Sequence, residues 1–341
     1  MNKKVAILGA SGYTGAEIVR LVATHPDLEI AALSAERKAG MAMGDVFAQL
    51  GHLDLPDLVR ISDVDFQQVD LAFLALPYGL SHELVPGLPD HVKVVDLSAD
   101  FRFRDVADYA RWYGREHKAP KIQPTVAYGL PEIYRSEIAA ARITANTGCY
   151  VATSLLPLIP LVRAQVIDPH PIVIDAKSGV SGAGRALRES SLFCEVNEGF
   201  SAYGIAHHRH MGELDQELSL AAGAPVTPSF TPHLVPMSRG MMATIYVDGD
   251  ADAVHETLAA FYSDAPFVTV LPLGKAPSTS HVKGSNRCHI GVVADRAKGR
   301  TIIVSVLDNL MKGASGQAVQ IANIMLGLDE TAGLKLAPIF P

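Results

Sequence analysis

Cys149 lies in "NTGCYVATSLLPL", just ahead of a long apolar run, and His208, Arg209 and His210 lie in "HHRHMGELDQEL", just ahead of an amphipathic one. A cysteine thiolate is a nucleophile, and histidine is the side chain best suited to moving protons near neutral pH. "RITAN" before the cysteine has the character of a strand, and "YVATSLLPLIPLVRA" after it that of a helix, which its two prolines are expected to kink or shorten. Cys149 is thus expected where a strand ends and a helix begins, with unsatisfied amides and the helix dipole favouring thiolate. Taken alone, the sulfur is equally well read as a small buried core group, because free cysteine is commonly buried. The histidine motif adds a base and a cation at the start of one fixed element. Metal binding by His208 and His210 is the rival reading, disfavoured by the arginine between them and the lack of a nearby carboxylate cluster. Cys194 and Cys288 lack comparable context and are read as packing.

A second chemistry, the cradling of phosphate, is suggested by "GASGYTG". Gly9, Ser11, Gly12, Tyr13, Thr14 and Gly15 follow an apolar strand and open a helix, where glycines let the backbone approach a pyrophosphate and the helix start attracts its charge. The spacing is GxxGxxG rather than GxGxxG, so a tight strand-to-helix turn with no ligand is the other reading. At the end of the next strand, where an acidic residue would select NAD, stands Ser34, with Arg37 and Lys38 close behind. That favours a 2′-phosphate and hence NADP. Glu36 among them leaves a solvated charged loop as the alternative. A short-chain dehydrogenase would need a tyrosine four residues before a lysine, and none of the ten tyrosines meets that condition. A nucleotide-sensing regulator would need no nucleophile at all.

The elements that must hold these groups follow from periodicity. Lys4 to Leu8, Leu28 to Leu33, Val69 to Leu76 and Val92 to Leu97 read as buried parallel strands, with "AEIVRLVATH" helical between the first two. This is a Rossmann-type, doubly wound α/β pattern. In the second half, Ile172 to Ala176, Met242 to Val247, Phe267 to Leu271, Ile290 to Val293 and Thr301 to Leu307 are separated by longer stretches, with helical patterns at Met211 to Ala222 and Ala253 to Tyr262. They imply a second, α+β domain with a mixed sheet. A last helix is expected within "NLMKGASGQAVQIANIML".

With 341 residues the chain has room for two domains. A net charge of −7 argues against nucleic-acid or anionic-membrane partners. Three widely spaced cysteines without a CxxC pair fit a reducing compartment, and neither a signal peptide's apolar core nor a membrane-spanning run is found, so a cytosolic protein is expected.

"GASGYTG", "DLSADFR", "NTGCY", "SGVSGAGR", "HRHMGEL", "FTPHLVPMSRG", "VKGSN" and "DNLMKGASGQAVQ" occur in that order along essentially the whole chain. In this the sequence resembles the N-acetyl-gamma-glutamyl-phosphate reductase family of arginine biosynthesis, in the aspartate-semialdehyde dehydrogenase superfamily. The resemblance implies an NADPH-dependent enzyme that reduces an acyl phosphate through a cysteine thioester, and a homo-oligomer, dimer or tetramer. It implies a dinucleotide-binding domain over 1–148, completed by the C-terminal helix within 309–341, and a catalytic and oligomerisation domain over 149–308. It further implies Cys149 as nucleophile, His210 as acid/base, and Gly9, Gly12, Gly15, Pro77, Gly182 and Asn309 as cofactor contacts. Arg102 of "SADFR" would receive the substrate phosphate and Arg239 of "PMSRG" a substrate carboxylate. A surface ion pair with Asp100 or Asp105 is the other reading of Arg102. Thr147 departs from the family, which usually has proline there. Relatives acting on aspartyl phosphate or carrier-bound aminoadipyl phosphate are the alternatives for the substrate.

Overall fold

The computed structural model describes residues 2–340. The chain divides into two compact units, Met1–Thr147 with Ala314–Lys335, and Gly148–Gly313 with Leu336–Pro341. Residues 309–313 and the tail from 336 therefore go with the second unit.

The first unit carries a seven-stranded sheet of β1 (Lys3–Leu8), β2 (Leu28–Ser34), β3 (Leu58–Val59), β4 (Leu71–Leu74), β5 (Lys93–Asp96), β6 (Val126–Gly129) and β7 (Ile143–Asn146). Every pairing is parallel, in the order β3-β2-β1-β4-β5-β7-β6. Strands buried on both faces must be apolar throughout, and Val5–Leu8 and Leu71–Leu74 are wholly enclosed. The order reverses between β1 and β4, so the loops leaving these neighbours diverge and open a crevice. The Gly316–Leu326 helix packs against helices Tyr13–Val22 and Pro131–Ala140 and against β5 and β7. The C-terminal segment thus completes the first sheet's cover.

The second unit carries β8 (Val173–Gly179), β9 (Ser201–Ala202), β10 (Ser229–Val235), β11 (Met241–Asp248), β12 (Val268–Val270), β13 (Cys288–Ala294) and β14 (Arg300–Leu307). Their order is β12-β13-β14-β11-β8-β10-β9, with β8/β10 and β12/β13 parallel and the rest antiparallel. Strand β10 was not expected, because Pro232 interrupts its pattern. It is tolerated in a strand that is close to an edge, since β9 pairs only with His233 and Leu234.

The Cys149–Arg163 helix packs across β8, β11 and β14. It runs unbroken through Pro157 and Pro160, so the expected shortening does not occur. Proline removes the N–H that would bond the carbonyl four residues back, and for Pro160 that acceptor is Leu156. Tyr262 supplies the missing donor: its hydroxyl bonds the Leu156 carbonyl at 2.5 Å. Full burial of Tyr150 through Pro160 supplies the rest of the holding force.

Antiparallel pairing brings chain segments together at one end of the second sheet. Met241, at the start of β11, lies between Leu307, at the end of β14, and Ser178, near the end of β8. Leu307 also faces Cys288, the start of β13. Residues 179–182, 235–240, 283–287 and 308–313 therefore leave the sheet side by side.

Candidate active site

Cys149 is the first residue of its helix, with Gly148 extended at the N-cap (φ −67°, ψ 148°) and no acidic side chain in the first turn. The residue is half-buried. The His210 imidazole lies over Gly148: a β-carbon there would overlap Nε2 and stand 2.7 Å from Cδ2 and 2.8 Å from Cε1. Glycine at 148 is what lets the ring come up beside the cysteine. His210 opens the His210–Ala222 helix, which packs against the Cys149 helix. One turn on, the fully buried Glu213 accepts the Gly148 N–H through Oε2 at 3.3 Å. His210 and Glu213, three apart on one helical face, thus both meet the residue before Cys149. The sequence reading missed Glu213, although its spacing from His210 was a usable signal.

His208 takes a different part. Its Nδ1 accepts the His210 backbone N–H at 3.2 Å, and burial, with Arg209 and His207 nearby, pushes its pKa down to about 4. It is a neutral prop for His210. Among the described residues no group of three or more side chains could hold a metal ion. Tyr150 meets His208, His210 and Phe230 with ring centroids at 5.7, 6.0 and 5.4 Å, all edge-on. Its hydroxyl donates to the His233 carbonyl (3.0 Å) and accepts from Tyr203 (3.2 Å). Burial raises both phenols, Tyr203 to about 12, so both stay protonated. Neither tyrosine was anticipated.

The gathered strand ends are tied by two adjacent side chains. Asn309, almost wholly buried, accepts the Gly240 N–H (2.8 Å) and donates to the Ser181 hydroxyl (2.9 Å), beside Gly182. Asp308, fully buried, accepts N–H bonds from Gly284 (2.7 Å), Leu310 (2.8 Å) and Met311 (3.2 Å) and pairs with Arg239 Nη1 at 3.5 Å. Gly313 donates to the Asp308 carbonyl at 3.0 Å, and a β-carbon on it would stand 2.9 Å from Cys149 Cβ. Cys194 is exposed, and Cys288 is buried in β13.

In the first unit, Gly9 (φ +85°) and Gly15 have no room for a side chain: a β-carbon on Gly9 would collide with the Ala75 carbonyl, and one on Gly15 would stand 2.7 Å from Ala10 Cα. Gly12 is different. Its φ is −86°, and a β-carbon there would meet nothing closer than 3.5 Å. The fold demands glycine at 9 and 15, whereas at Gly12, the N-cap of a helix without acid in its first turn, the fold itself leaves room for a side chain. Ser11 and Thr14 are half-buried and Tyr13 exposed along that rim. Ser34 holds the loop by its carbonyl, which accepts the Gly9 and Ala10 N–H groups at 3.0 and 2.9 Å. Its hydroxyl is sealed inside without a hydrogen-bond partner, so it is not presented to a ligand in this conformation. Glu36 is turned aside, accepting the Ile61 N–H at 3.0 Å, while Arg37 is exposed on the same single turn.

Pro77 is exposed in the loop after β4. That loop is anchored by the buried Asp100, which accepts the N–H groups of Gly79 (2.6 Å) and Ser81 (3.0 Å) and the Tyr109 hydroxyl (3.1 Å). Arg102 is buried, donating to the Asn146 carbonyl from Nε (2.9 Å) and to the Leu97 carbonyl from Nη2 (3.1 Å). Its guanidinium braces the ends of β5 and β7. Thr147 is buried, and its hydroxyl accepts from Gln317 Nε2 at 2.7 Å.

Residues 4–141 match the semialdehyde dehydrogenase NAD-binding domain, and residues 149–309 the semialdehyde dehydrogenase dimerisation domain. In the solved structure of aspartate semialdehyde dehydrogenase II from Vibrio cholerae the same fold recurs, with TM-score 0.74 at 19% identity over 96% of this chain and 99% of that one. The enzyme from Candida albicans, solved with NADP, gives 0.68 at 18% identity over 96% and 99%. Among curated proteins, N-acetyl-gamma-glutamyl-phosphate reductases from Paracoccus denitrificans, Jannaschia sp. and Ruegeria pomeroyi are 58%, 58% and 57% identical over the full length of both chains. With two domain matches spanning most of the chain and identity of this order end to end, the chain belongs to the N-acetyl-gamma-glutamyl-phosphate reductase family.

Proposed function

We propose that the chain reduces N-acetyl-L-glutamyl 5-phosphate to N-acetyl-L-glutamate 5-semialdehyde and phosphate with NADPH, through a thioester on Cys149. The observation that carries this reading is the packing of the His210 ring on Gly148, next to a cysteine at a helix start. The first-turn amides favour the thiolate, which attacks the acyl carbon; the C–O bond to phosphate breaks and the acyl group stays on sulfur. Bound NADPH supplies the hydride that reduces this thioester. His210 gives a proton to the oxyanion as the thiohemiacetal forms and takes it back as the carbonyl re-forms and the thiolate leaves. Glu213 and His208 hold the frame in which His210 works.

The smooth surface at Gly12, the acid-free helix start and exposed Arg37, with Lys38 beside it, fit a dinucleotide bearing a 2′-phosphate; Pro77, Gly182 and Asn309 are the further contacts. Arg102 is assigned to the substrate phosphate and Arg239 to its carboxylate. A homo-oligomer is supported by the second sheet's outer face, where Met242, Thr244, Tyr246, Ile302 and Val304 are only half-buried, against fully enclosed neighbours on the helical face. No helix among the described residues is long and apolar enough to cross a membrane. We place the enzyme in the cytoplasm, where its thiols stay reduced.

The reverse reaction is the practical test. Semialdehyde, phosphate and NADP should yield NADPH with N-acetylglutamate semialdehyde and not with aspartate semialdehyde. The opposite preference would contradict the proposed substrate.

A further inference from the structure

The buried carboxylate at the end of β14 is not used by the chemistry above. Asp308 lies between the starts of β11 and β13, so its two oxygens can serve chain segments on both sides. Oδ1 accepts the N–H groups of Leu310 and Met311, and Oδ2 accepts that of Gly284 and meets the Arg239 guanidinium. A fully buried carboxylate needs such a set of donors to remain in place. Arg239, by contrast, keeps about a quarter of its side chain exposed (26%), at the same sheet end that carries Gly313 against Cys149. A guanidinium held on one side by a buried anion is oriented and stiffened, and its forked donors are then presented in one geometry suited to a second carboxylate.

We propose that Asp308 is a positioning residue for substrate selection: it fixes Arg239 so that the enzyme discriminates for acyl chains carrying an α-carboxylate. This rests on the reading of Arg239 and of the substrate given above. Replacing Asp308 by asparagine keeps the shape and the Oδ1 acceptor but sets an amide N–H₂ against two donors, Gly284 N–H and Arg239, so the damage falls on the Arg239 side.

The test compares two aldehydes in the reverse reaction, N-acetylglutamate semialdehyde and 4-acetamidobutanal, which is the same molecule without its carboxylate. The unaltered enzyme should prefer the first in kcat/KM by about ten- to a hundred-fold, the range of a charge-assisted contact. Asp308→Asn should erase most of that preference by raising KM for the carboxylate substrate alone, leaving KM for NADP within about twofold, as expected when a uniform binding contact is lost. Arg239→Gln, at a partly exposed position, should erase it equally and makes the test independent of whether Asp308→Asn folds. The double variant should be no worse than either single one, as coupled residues require. Equal loss on both aldehydes in Asp308→Asn, or an intact preference in Arg239→Gln, overturns the proposal. No oxidation of either aldehyde by the unaltered enzyme would instead overturn the reading of the reaction.

Discussion

A methyl group at Gly148 would drive into the His210 ring, which makes this glycine a direct probe of the candidate site. Gly148→Ala should push the imidazole away from Cys149 and lower turnover by roughly a hundred- to ten-thousand-fold, the usual contribution of a general acid/base. Binding of NADPH, followed by its fluorescence, should be unchanged; near-normal turnover would remove His210 from the reaction. At this scale the sequence was informative where a residue's type and immediate neighbours define its role. Cys149 before an apolar helix and His210 before an amphipathic one could be read directly. Asp308 and Tyr150 could not, because a buried carboxylate or phenol is defined by partners distant in sequence: Asp308 meets Arg239, 69 residues before it, and Gly284, 24 before it. Ser34 shows the converse: its place at the end of β2 suggests a ligand contact, while in this conformation its hydroxyl faces inward.

The helix that begins at Cys149 survives two prolines because the neighbouring Ala251–Phe261 helix ends in Tyr262, whose hydroxyl bonds the carbonyl that Pro160 leaves unpaired. Tyr262→Phe removes that donor while filling nearly the same volume. It should cost about 1 to 3 kcal/mol, the penalty for an unsatisfied buried acceptor, and lower Tm without altering KM for either substrate. An unchanged Tm would mean that apolar burial alone carries the helix through its prolines. The expected shortening followed from local propensity, and tertiary hydrogen bonding overrode it. Strand β10 was missed for a related reason, since Pro232 breaks a local pattern that the sheet accommodates near its edge.

Taken over the molecule, the parallel first sheet was legible where a buried strand is a run of apolar residues, as in β1 and β4, whereas the short β3 and β6 were not foreseen. The second was legible only as a mixed sheet, since its order depends on long-range pairing. Charge buried by this packing sets the response to pH. His208, His25, His82, His117 and His289 all have pKa values lowered chiefly by burial, that of His208 to about 4. A histidine with a lowered pKa binds fewer protons folded than unfolded, so its contribution is intact above its unfolded value near 6.5 and is lost as pH falls through that value. Asp96 acts the other way: burial, then Asp100, raises it to about 6, so it favours the fold below its unfolded value and loses that contribution as pH rises through 6. Five groups outweigh one, and Tm should be lower at about pH 5 than at about pH 7.5. A higher Tm at the acid value would contradict the burial of these imidazoles. In the proposed reaction Cys149 carries the acyl group. Intact-mass measurement after mixing enzyme with N-acetylglutamyl phosphate in the absence of NADPH should show one added N-acetylglutamyl group on the unaltered chain, the adduct still forming in His210→Asn and none in Cys149→Ala. An adduct that persists in Cys149→Ala, or maps to Cys194 or Cys288, would contradict it.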